Sequence, residues 1–542
     1  MKLRKSAEPE PQHAAAPPRA EVRPAATEQD LHIERTRARQ LAERYNLDLV
    51  DLRTVSPDPA AATLLDERTA RYLAAVPLEI DQDVVTVAVA DPSIHDELRA
   101  VIGRRLILRL AAPTDVLHAI GTAYRALTGI DDRVKVFEAR DAVRREVREE
   151  VSGDAPVVQV VQLVITQALR DRASDVHIEP HGDRVRVRYR IDGALHDVLE
   201  LPGSIGPAVV SRIKILADLN IVERRRPQDG QISMDVEDRP VDIRVSTTAV
   251  VGGEKVVLRL LDKSRPLFRL EQLGMPEQLA ATYSGLLRAP YGMVICAGPT
   301  GSGKTTTLYG SLGEINSPER NIMTIEDPVE YTFDSINQIQ INEAAGITFA
   351  GGLRSILRQD PDVILVGEVR DVETARIAVQ SALTGHLVLS SLHATDAATA
   401  LHRLLDMGIE TFLVASSVTA VVSQRLVRRT CPNCREYYQP KSEELAFLAA
   451  AGGGAPSDGF VRGAGCNFCA HTGFLERTGV YELMPVSDTL RDLVVDRASH
   501  DEIRKAARYE GMRTLTEEGV RLVGQGVTTI GEVMRSIYLV GS

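Results

Sequence analysis

The feature that most constrains this chain is a phosphate-binding loop placed between a buried strand and a helix. The strand-like run 291–297 is followed at once by the sequence G-P-T-G-S-G-K-T, and the pattern then becomes helical over 306–314. In this context the spacing G-x-x-x-x-G-K-T is that of the P-loop, in which glycine amides and a helix N-terminus hold phosphates. The chain is therefore predicted to contain an α/β sheet that binds a nucleoside triphosphate.

The residues of this loop have distinct predicted roles. Glycines free the backbone N–H groups to wrap the phosphates, Lys304 reaches the β- and γ-phosphates, and the Thr305 hydroxyl can hold Mg²⁺. Cys296 lies in the apolar run before the loop and is predicted to be a small core residue. The predicted nucleotide-binding residues are Gly298, Pro299, Thr300, Gly301, Ser302, Gly303, Lys304, Thr305 and Thr306.

Acidic and histidine side chains flank or follow three later strand-like runs, at 321–325, 363–366 and 387–390. Because ligands of an open parallel sheet bind outside the carboxyl ends of its strands, we expect these groups to converge on the phosphates. ATP hydrolysis needs a carboxylate that orients water, a carboxylate linked to the metal and a group that senses the γ-phosphate. The candidates are Glu326, Asp327 and Glu330 after the first run, Glu368 after the second, and His386 and His393 around the third.

Some of these residues also have a structural interpretation. Glu326 or Asp327 could cap a turn before the following proline, and Glu330 could be a surface charge. His386 could be a core histidine. These alternatives stay open on the sequence alone.

The magnesium site is predicted from the P-loop and the second run. Many P-loop enzymes have an aspartate at the end of this strand, where this chain has Gly367 directly before Glu368. We therefore expect Thr305 and Glu368 to hold Mg²⁺ partly through water.

Length and composition place this sheet within a larger, modular protein. The chain has 542 residues, of which 44% are hydrophobic and 26% charged, as is typical of a folded protein with several domains. No apolar run is long enough to span a membrane, and the first residues lack the apolar segment of a signal peptide. The net charge of −11 and the absence of tryptophan argue against nucleic acid as a partner.

All of the five cysteines except Cys296 lie in two Cys-x-x-Cys pairs. Four thiolates in this pattern match tetrahedral Zn²⁺ and leave no open coordination position, so the predicted site is structural. A redox pair or a disulfide is the alternative. The predicted zinc ligands are Cys431, Cys434, Cys466 and Cys469.

Changes in composition along the chain predict its domain boundaries. Residues 1–30 are predicted to be a disordered tail and 128–154 a charged linker. One strand of the second folded unit alternates apolar residues with arginines, which form either a solvated face or a surface for phosphate or subunit contact; these are Arg184, Arg186, Arg188 and Arg190. The predicted folded segments are a small α+β domain at 31–127, an α+β lobe at 155–265, the P-loop domain at 266–430, a tetracysteine subdomain at 431–480 and a helical region at 481–542.

Several motifs together resemble those of the secretion ATPase superfamily, most closely the type II secretion and type IV pilus assembly motors (GspE and PilB). The resemblance covers roughly residues 155–540. The motifs that carry it are the P-loop, the segment 326–330, the run 353–362 leading into Glu368-Val369-Arg370-Asp371, and the segment 384–393.

This resemblance implies a homohexameric ring. Each protomer would have a PAS-like N-terminal lobe and a RecA-like P-loop NTPase lobe, with ATP between them and Mg²⁺ and Zn²⁺ as metals. Glu330 would then be the catalytic glutamate, Glu368 the Walker B glutamate and His393 the residue of the histidine box.

The resemblance also implies roles for arginines outside the P-loop. Arg244 and Arg259 match arginines proposed to contact the phosphates, and Arg354 and Arg358 match further arginines needed for activity. An arginine that stabilises transferred charge contributes about 10³–10⁵ in rate where it acts as a finger. The implied catalytic set is Glu330, Glu368, Lys304, Arg244, Arg259 and His393, with Arg354 and Arg358 among the nucleotide-binding residues.

The resemblance finally implies partners and a location. The motors of this group are cytoplasmic and peripheral on the inner face of the cell membrane, where they bind an inner-membrane platform protein and a membrane-anchoring component of a secretion or pilus machine. Residues 31–125 look like the second half of the domain that docks there, without the stretch that some relatives use for cyclic di-GMP. The cysteine pairs resemble those of the assembly motors and favour assembly of the pilus over its retraction. The alternatives to a secretion or pilus motor are an ATP-driven DNA translocase and a nucleotide-gated binding module.

Overall fold

The computed structural model describes residues 28–124, 134, 135, 137, 156–237, 239–262 and 269–537. The predicted tail and linker therefore lie almost entirely outside the described residues. The chain divides into two units, 1–123 and 124–542. In the described residues, no helix has both the length and the apolar character needed to cross a membrane.

The first unit is an α+β domain, as predicted. Its described strands form one sheet in the order β1-β4-β3-β2, in which only β2 and β3 run antiparallel. Arg35 of the first helix makes a bidentate bond to the buried Asp115 of the last, with both N–O distances 2.9 Å. The elements are α1 Glu28–Tyr45, β1 Asp48–Leu49, α2 Pro59–Ala62, α3 Glu67–Leu73, β2 Ala75–Asp81, β3 Val84–Val89, α4 His95–Ile102, β4 Arg105–Leu110 and α5 Pro113–Ala123.

The second unit begins with an α+β lobe. Its described strands form an antiparallel sheet in the order β7-β6-β5-β10-β9-β8. One face packs against two helices through residues such as Val176, Ile178 and Tyr189, and alternation leaves charged side chains on the other face. The elements are α6 Pro156–Arg170, β5 Asp175–His181, β6 Arg184–Ile191, β7 Ala194–Pro202, α7 Gly206–Leu216, β8 Gln228–Val236, β9 Arg239–Val250 and β10 Gly253–Asp262.

The rest of the second unit contains the P-loop sheet and the cysteine subdomain. Its elements are α8 Glu277–Leu287, β11 Gly292–Ala297, α9 Lys304–Ile315, β12 Ile322–Glu326, β13 Asn337–Gln340, α10 Phe349–Ile356, β14 Val363–Val366, α11 Val372–Leu383, β15 Leu387–Leu392, α12 Ala397–Asp406, α13 Thr411–Ser417, β16 Val418–Thr430, β17 Arg435–Tyr438, α14 Ser442–Ala450, β18 Phe460–Gly463, β19 Phe474–Pro485, α15 Asp488–Val495, α16 His500–Tyr509, α17 Leu515–Gly524 and α18 Ile530–Ser536.

The strand order of the P-loop sheet is β13-β12-β14-β15-β11-β16-β19. All neighbouring strands pair in parallel except β16 and β19. Separate hydrophobic cores, one with Ile295 and Leu401 and the other with Val294 and Leu308, lie against its two faces. Burial on both faces explains why the central strands are continuous apolar runs. The fold confirms the predicted α/β class.

The cysteine subdomain is inserted between two paired strands of this sheet. The pairing of β16 with β19 extends to Thr430 opposite Phe474, and the Cys431 amide donates to the Gly473 carbonyl at 2.9 Å. The predicted boundary at 480 falls inside β19, so the sheet continues beyond the cysteines.

Candidate active site

The P-loop joins the carboxyl end of β11 to the first turn of α9. Gly301 and Gly303 have φ values of +76° and +89°, a conformation that favours glycine. The Lys304 ammonium donates to the carbonyls of Gly298 and Pro299, at 2.9 and 3.1 Å, and so lies within the loop. Burial lowers the pKa of Lys304, which the carboxylate of Glu368 partly opposes. Loop, helix N-terminus and lysine together form a cradle suited to phosphates.

Sequence reasoning assigned no role to two polar residues of β16, Gln424 and Arg425, the first of which contacts the P-loop. The Gln424 amide donates to the Ser302 carbonyl at 2.7 Å and accepts from the Cys296 thiol at 3.3 Å. Arg425 donates to the Thr395 carbonyl at 2.7 Å. A polar pair within a buried strand was the available signal, but only the pairing of β16 beside β11 reveals what it contacts.

Glu368 and His393 meet beside the P-loop lysine, as the strand ends predicted. The His393 Nε2 lies 3.6 Å from a Glu368 carboxylate oxygen, and Arg370 binds the other oxygen of that carboxylate. Partial burial and the charge of Lys304 lower the pKa of His393, so the neutral ring is favoured. His386 instead contacts the Ser381 carbonyl through Nδ1 at 3.0 Å, which favours its structural interpretation.

The glycine before Glu368 has a packing reason. A Cβ on Gly367 would lie 3.3 Å from the Glu326 Cα and from the Ile325 carbonyl oxygen. The neighbouring strand β12 therefore leaves little room for the aspartate found here in many P-loop enzymes. A threonine hydroxyl and a carboxylate are hard oxygen donors of the kind that Mg²⁺ prefers, so Thr305 and Glu368 fit the predicted metal.

Glu330 is partly buried beyond the end of β12. Burial raises its pKa, while the charges of Arg244 and Arg259 lower it. These arginines belong to the α+β lobe, where they lie directly opposite each other on β9 and β10. Both lobes therefore contribute charge to one site, with the glutamate on one side and the arginines on the other.

Asp175 holds one of these arginines, and sequence reasoning did not assign it a role. Its carboxylate accepts a hydrogen bond from Arg259 Nε at 2.9 Å and lies 3.6 Å from Arg190 Nε. The Asp175 side chain is 8% exposed and that of Arg259 is 57% exposed. The Nε of Arg259 is thus fixed by a buried carboxylate, while more than half of the arginine side chain stays exposed.

The carboxylates of the 326–330 segment have different environments. Glu326 is buried, and the hydrogen bonds described for its carboxylate come from the side chains of Tyr309, Thr324 and Gln338, which does not favour a turn cap. Asp327 lies 3.7 Å from Arg370.

The two arginines predicted to bind the nucleotide from outside the P-loop contact other residues. Arg354 pairs with Glu373, and Arg358 donates to the Arg354 carbonyl at 2.9 Å. The contacts described for these two arginines thus stay within their own region, and their role at the nucleotide stays a prediction.

The cysteine pairs come together as a tetrahedral ligand set would require. The four sulfur atoms lie within 4.8 Å of one another, and three of the separations are 4.0, 3.8 and 3.8 Å. Zinc–sulfur bonds of about 2.3 Å in a tetrahedron place sulfurs about 3.8 Å apart. The backbone amides of Cys466 and Gly473 also donate to the Cys469 sulfur. The arrangement fits Zn²⁺ and leaves no reason to expect a disulfide.

Fold and site together define a two-lobed P-loop ATPase of the RecA type. A family model described as type II/IV secretion system protein matches residues 150–535, and a model of the MshEN domain matches 45–130. The chain therefore belongs to the type II/IV secretion system protein family. It is an ATP hydrolase of that family.

Individual relatives agree with this assignment. The type II secretion system protein E of Pseudomonas aeruginosa is 48% identical over 456 residues, which are 81% of this chain and 89% of that protein. The type IV pilus assembly ATPase PilB of Myxococcus xanthus is 40% identical over 510 residues, 91% of this chain and 89% of that protein. The solved structure of the ATPase DotB of Yersinia pseudotuberculosis has the same fold, with a TM-score of 0.53 at 18% identity, covering 72% of this chain and 95% of that one.

Proposed function

We propose that this chain is a homohexameric motor in which ATP hydrolysis moves the two lobes and thereby drives assembly of a type II secretion pseudopilus or a type IV pilus. The feature that supports this most is the placement of Arg244 and Arg259, which lie opposite each other on β9 and β10, where their charges lower the pKa of Glu330 in the other lobe. Carboxylate and arginines come from different lobes, so a change at the phosphates changes the force between the lobes.

In the proposed mechanism the P-loop amides and Lys304 bind the β- and γ-phosphates. Glu330 orients the attacking water and accepts its proton, a role that its raised pKa favours. Arg244 and Arg259 stabilise the negative charge of the transferred phosphoryl group. Asp175 keeps Arg259 in place.

Thr305 and Glu368 are the residues that would hold Mg²⁺, with Glu368 acting partly through water. When bound, this ion neutralises charge on the β- and γ-phosphate oxygens. His393 contacts Glu368 and is proposed to respond to the γ-phosphate through it. Arg354 and Arg358 are exposed and are proposed to reach a nucleotide bound by a neighbouring protomer.

The remaining segments are proposed to connect the motor to its machine. Residues 31–127 would dock on a membrane-anchoring component, and the core would act on an inner-membrane platform protein at the cytoplasmic face. The site formed by Cys431, Cys434, Cys466 and Cys469 would hold Zn²⁺ as a structural ion. The names of the relatives support both a secretion and a pilus machine.

The test is phosphate release from Mg-ATP by the purified chain with and without the cytoplasmic segments of a platform protein. We expect these segments to stimulate phosphate release by the wild type and to have no effect on Lys304→Ala, which lacks the side chain that binds the phosphates. Stimulation by single-stranded DNA, with none by the platform segments, would contradict the proposal and favour a DNA translocase.

A further inference from the structure

A buried tyrosine joins the P-loop helix to the segment that carries Glu330. Tyr309 lies on α9, in the turn after Lys304, and is only 2% exposed. Its hydroxyl donates to the carboxylate of Glu326. The same oxygen accepts a hydrogen bond from the backbone N–H of Glu330 at 3.2 Å. One side chain therefore contacts both ends of the segment 326–330.

The carboxylate that anchors this tyrosine is itself fixed. Glu326 is the last residue of β12 and is 3% exposed. Its Oε1 accepts from the Thr324 hydroxyl at 2.5 Å and from the Gln338 amide at 3.2 Å. Such a network holds a hydroxyl in one orientation, because a buried carboxylate without its donors would be costly.

The tyrosine ring also has aromatic contacts. It packs edge-on against Tyr331 and Phe333, with ring centroids 6.1 and 5.3 Å apart. Burial and the neighbouring Glu326 raise the pKa of Tyr309, so its hydroxyl keeps the proton that it donates. The remaining lone pairs are available to the Glu330 amide.

We propose that Tyr309 is a positioning residue for hydrolysis, which sets the backbone at Glu330 and thereby the place of its carboxylate. The inference rests on the proposed catalytic role of Glu330. The bond is made at the residue's own amide, so its loss lets the Glu330 segment move. A displacement of about 1 Å at a reacting group can cost about 10²-fold in rate.

The same contact links binding to catalysis. Tyr309 lies on the helix whose N-terminus holds the phosphates, whereas Glu330 lies on the loop after β12. A shift of α9 is therefore transmitted to the catalytic carboxylate through this hydroxyl. The P-loop lysine and the carboxylate that orients water then keep one relative position.

The test is Tyr309→Phe, which removes the hydroxyl and keeps the ring with its aromatic contacts. We expect kcat to fall about 10- to 100-fold with little change in the affinity for ATP, because only the carboxylate is displaced. Tyr283→Phe is the matched control. Tyr283 lies on α8 and is fully buried, and its hydroxyl lies 2.9 Å from the hydroxyl of Ser311, which is on α9 with Tyr309. We expect the control to lose stability but to keep its kcat.

Combining Tyr309→Phe with Glu330→Gln separates positioning from a general structural effect. If Tyr309 acts through Glu330, the double variant has the kcat of Glu330→Gln alone. Three outcomes would overturn the inference about Tyr309 without touching the role of Glu330. The first is a double variant in which the two losses of kcat multiply, and the second is an equal fall in kcat for Tyr309→Phe and Tyr283→Phe. The third is a wild-type kcat for Tyr309→Phe when Glu330→Gln is inactive. A wild-type kcat for Glu330→Gln would overturn the proposed role of Glu330 and the inference with it.

Discussion

Replacing Asp175 by alanine removes the carboxylate that orients Arg259. The bond from Arg259 Nε is 2.9 Å long, and the aspartate side chain is 8% exposed. Without it the guanidinium keeps its charge but loses the bond that fixes its Nε. Catalysis is then expected to weaken while the P-loop is untouched.

The size of the effect follows from the type of bond that is lost. A hydrogen bond to a charged group contributes about 1.5–3 kcal/mol. Each 1.36 kcal/mol of transition-state stabilisation is a factor of ten in rate. If all of the hydrogen-bond energy serves to orient the arginine in the transition state, kcat falls about 10- to 150-fold. The affinity for ATP is expected to change little, because Lys304 and the loop amides are intact.

Steady-state phosphate release and equilibrium binding of a fluorescent ATP analogue measure the two quantities. Glu179→Ala is the matched control, since Glu179 lies on the same strand and face, is also mostly buried, and pairs with Arg188 and Lys255 at 2.7 and 2.8 Å. Both variants are expected to lose stability, but only Asp175→Ala is expected to lose kcat. Equal losses of kcat in the two variants, or none in Asp175→Ala, would refute the reasoning.

Two other properties are expected. Wild type is expected to contain one zinc per chain by elemental analysis, and in Cys469→Ser amide exchange should rise across 431–473 while β11 stays protected. Zn²⁺ binding contributes about 10–16 kcal/mol to the folding of small zinc domains, whereas few apolar side chains pack on these cysteines, so the subdomain depends on the metal. A wild-type protein that is folded but contains no zinc would contradict this. Burial raises the pKa of Glu330, so activity should fall with acidification at a pH above the ordinary glutamate range. Arg244 lowers the same pKa, so Arg244→Gln should move this fall to higher pH. A fall in the pH–rate profile that does not move, or that moves to lower pH, would contradict the effect of Arg244 on Glu330.

The parallel sheet could be predicted because its signals are local. The strand before the P-loop was predicted at 291–297 and lies at Gly292–Ala297, and the helix after it extends over Lys304–Ile315. The convergence of Glu368 and His393 was also predictable, since parallel strands bring their carboxyl ends to one edge. The cysteine cluster followed from spacing and from the chemistry of thiolates.

Other contacts could not be predicted because they depend on register and on side-chain packing between distant segments. Asp175 meets Arg259 only because β5 pairs antiparallel with β10, with these residues as partners. The sequence pattern places Tyr309 in a helix, but nothing in that pattern indicates which loop its hydroxyl contacts. Gln424 is a polar residue in an apolar strand, a signal that is visible in the sequence without naming its partner.

The pairing of β16 with β19 was also not predicted. The two strands are separated in the chain by the cysteine subdomain, so their contact is nonlocal, and β19 runs antiparallel in an otherwise parallel sheet. Composition suggested a boundary near the cysteines, whereas the backbone hydrogen bonds continue the sheet past them.

The rate of phosphate release by Glu330→Gln, measured together with its affinity for ATP, examines the two-lobed site most directly. We expect this variant to bind Mg-ATP as the wild type does and to release phosphate orders of magnitude more slowly, with the exposed Glu343→Gln unchanged as a control. Wild-type turnover by Glu330→Gln would contradict the account, because no carboxylate would then be needed opposite Arg244 and Arg259.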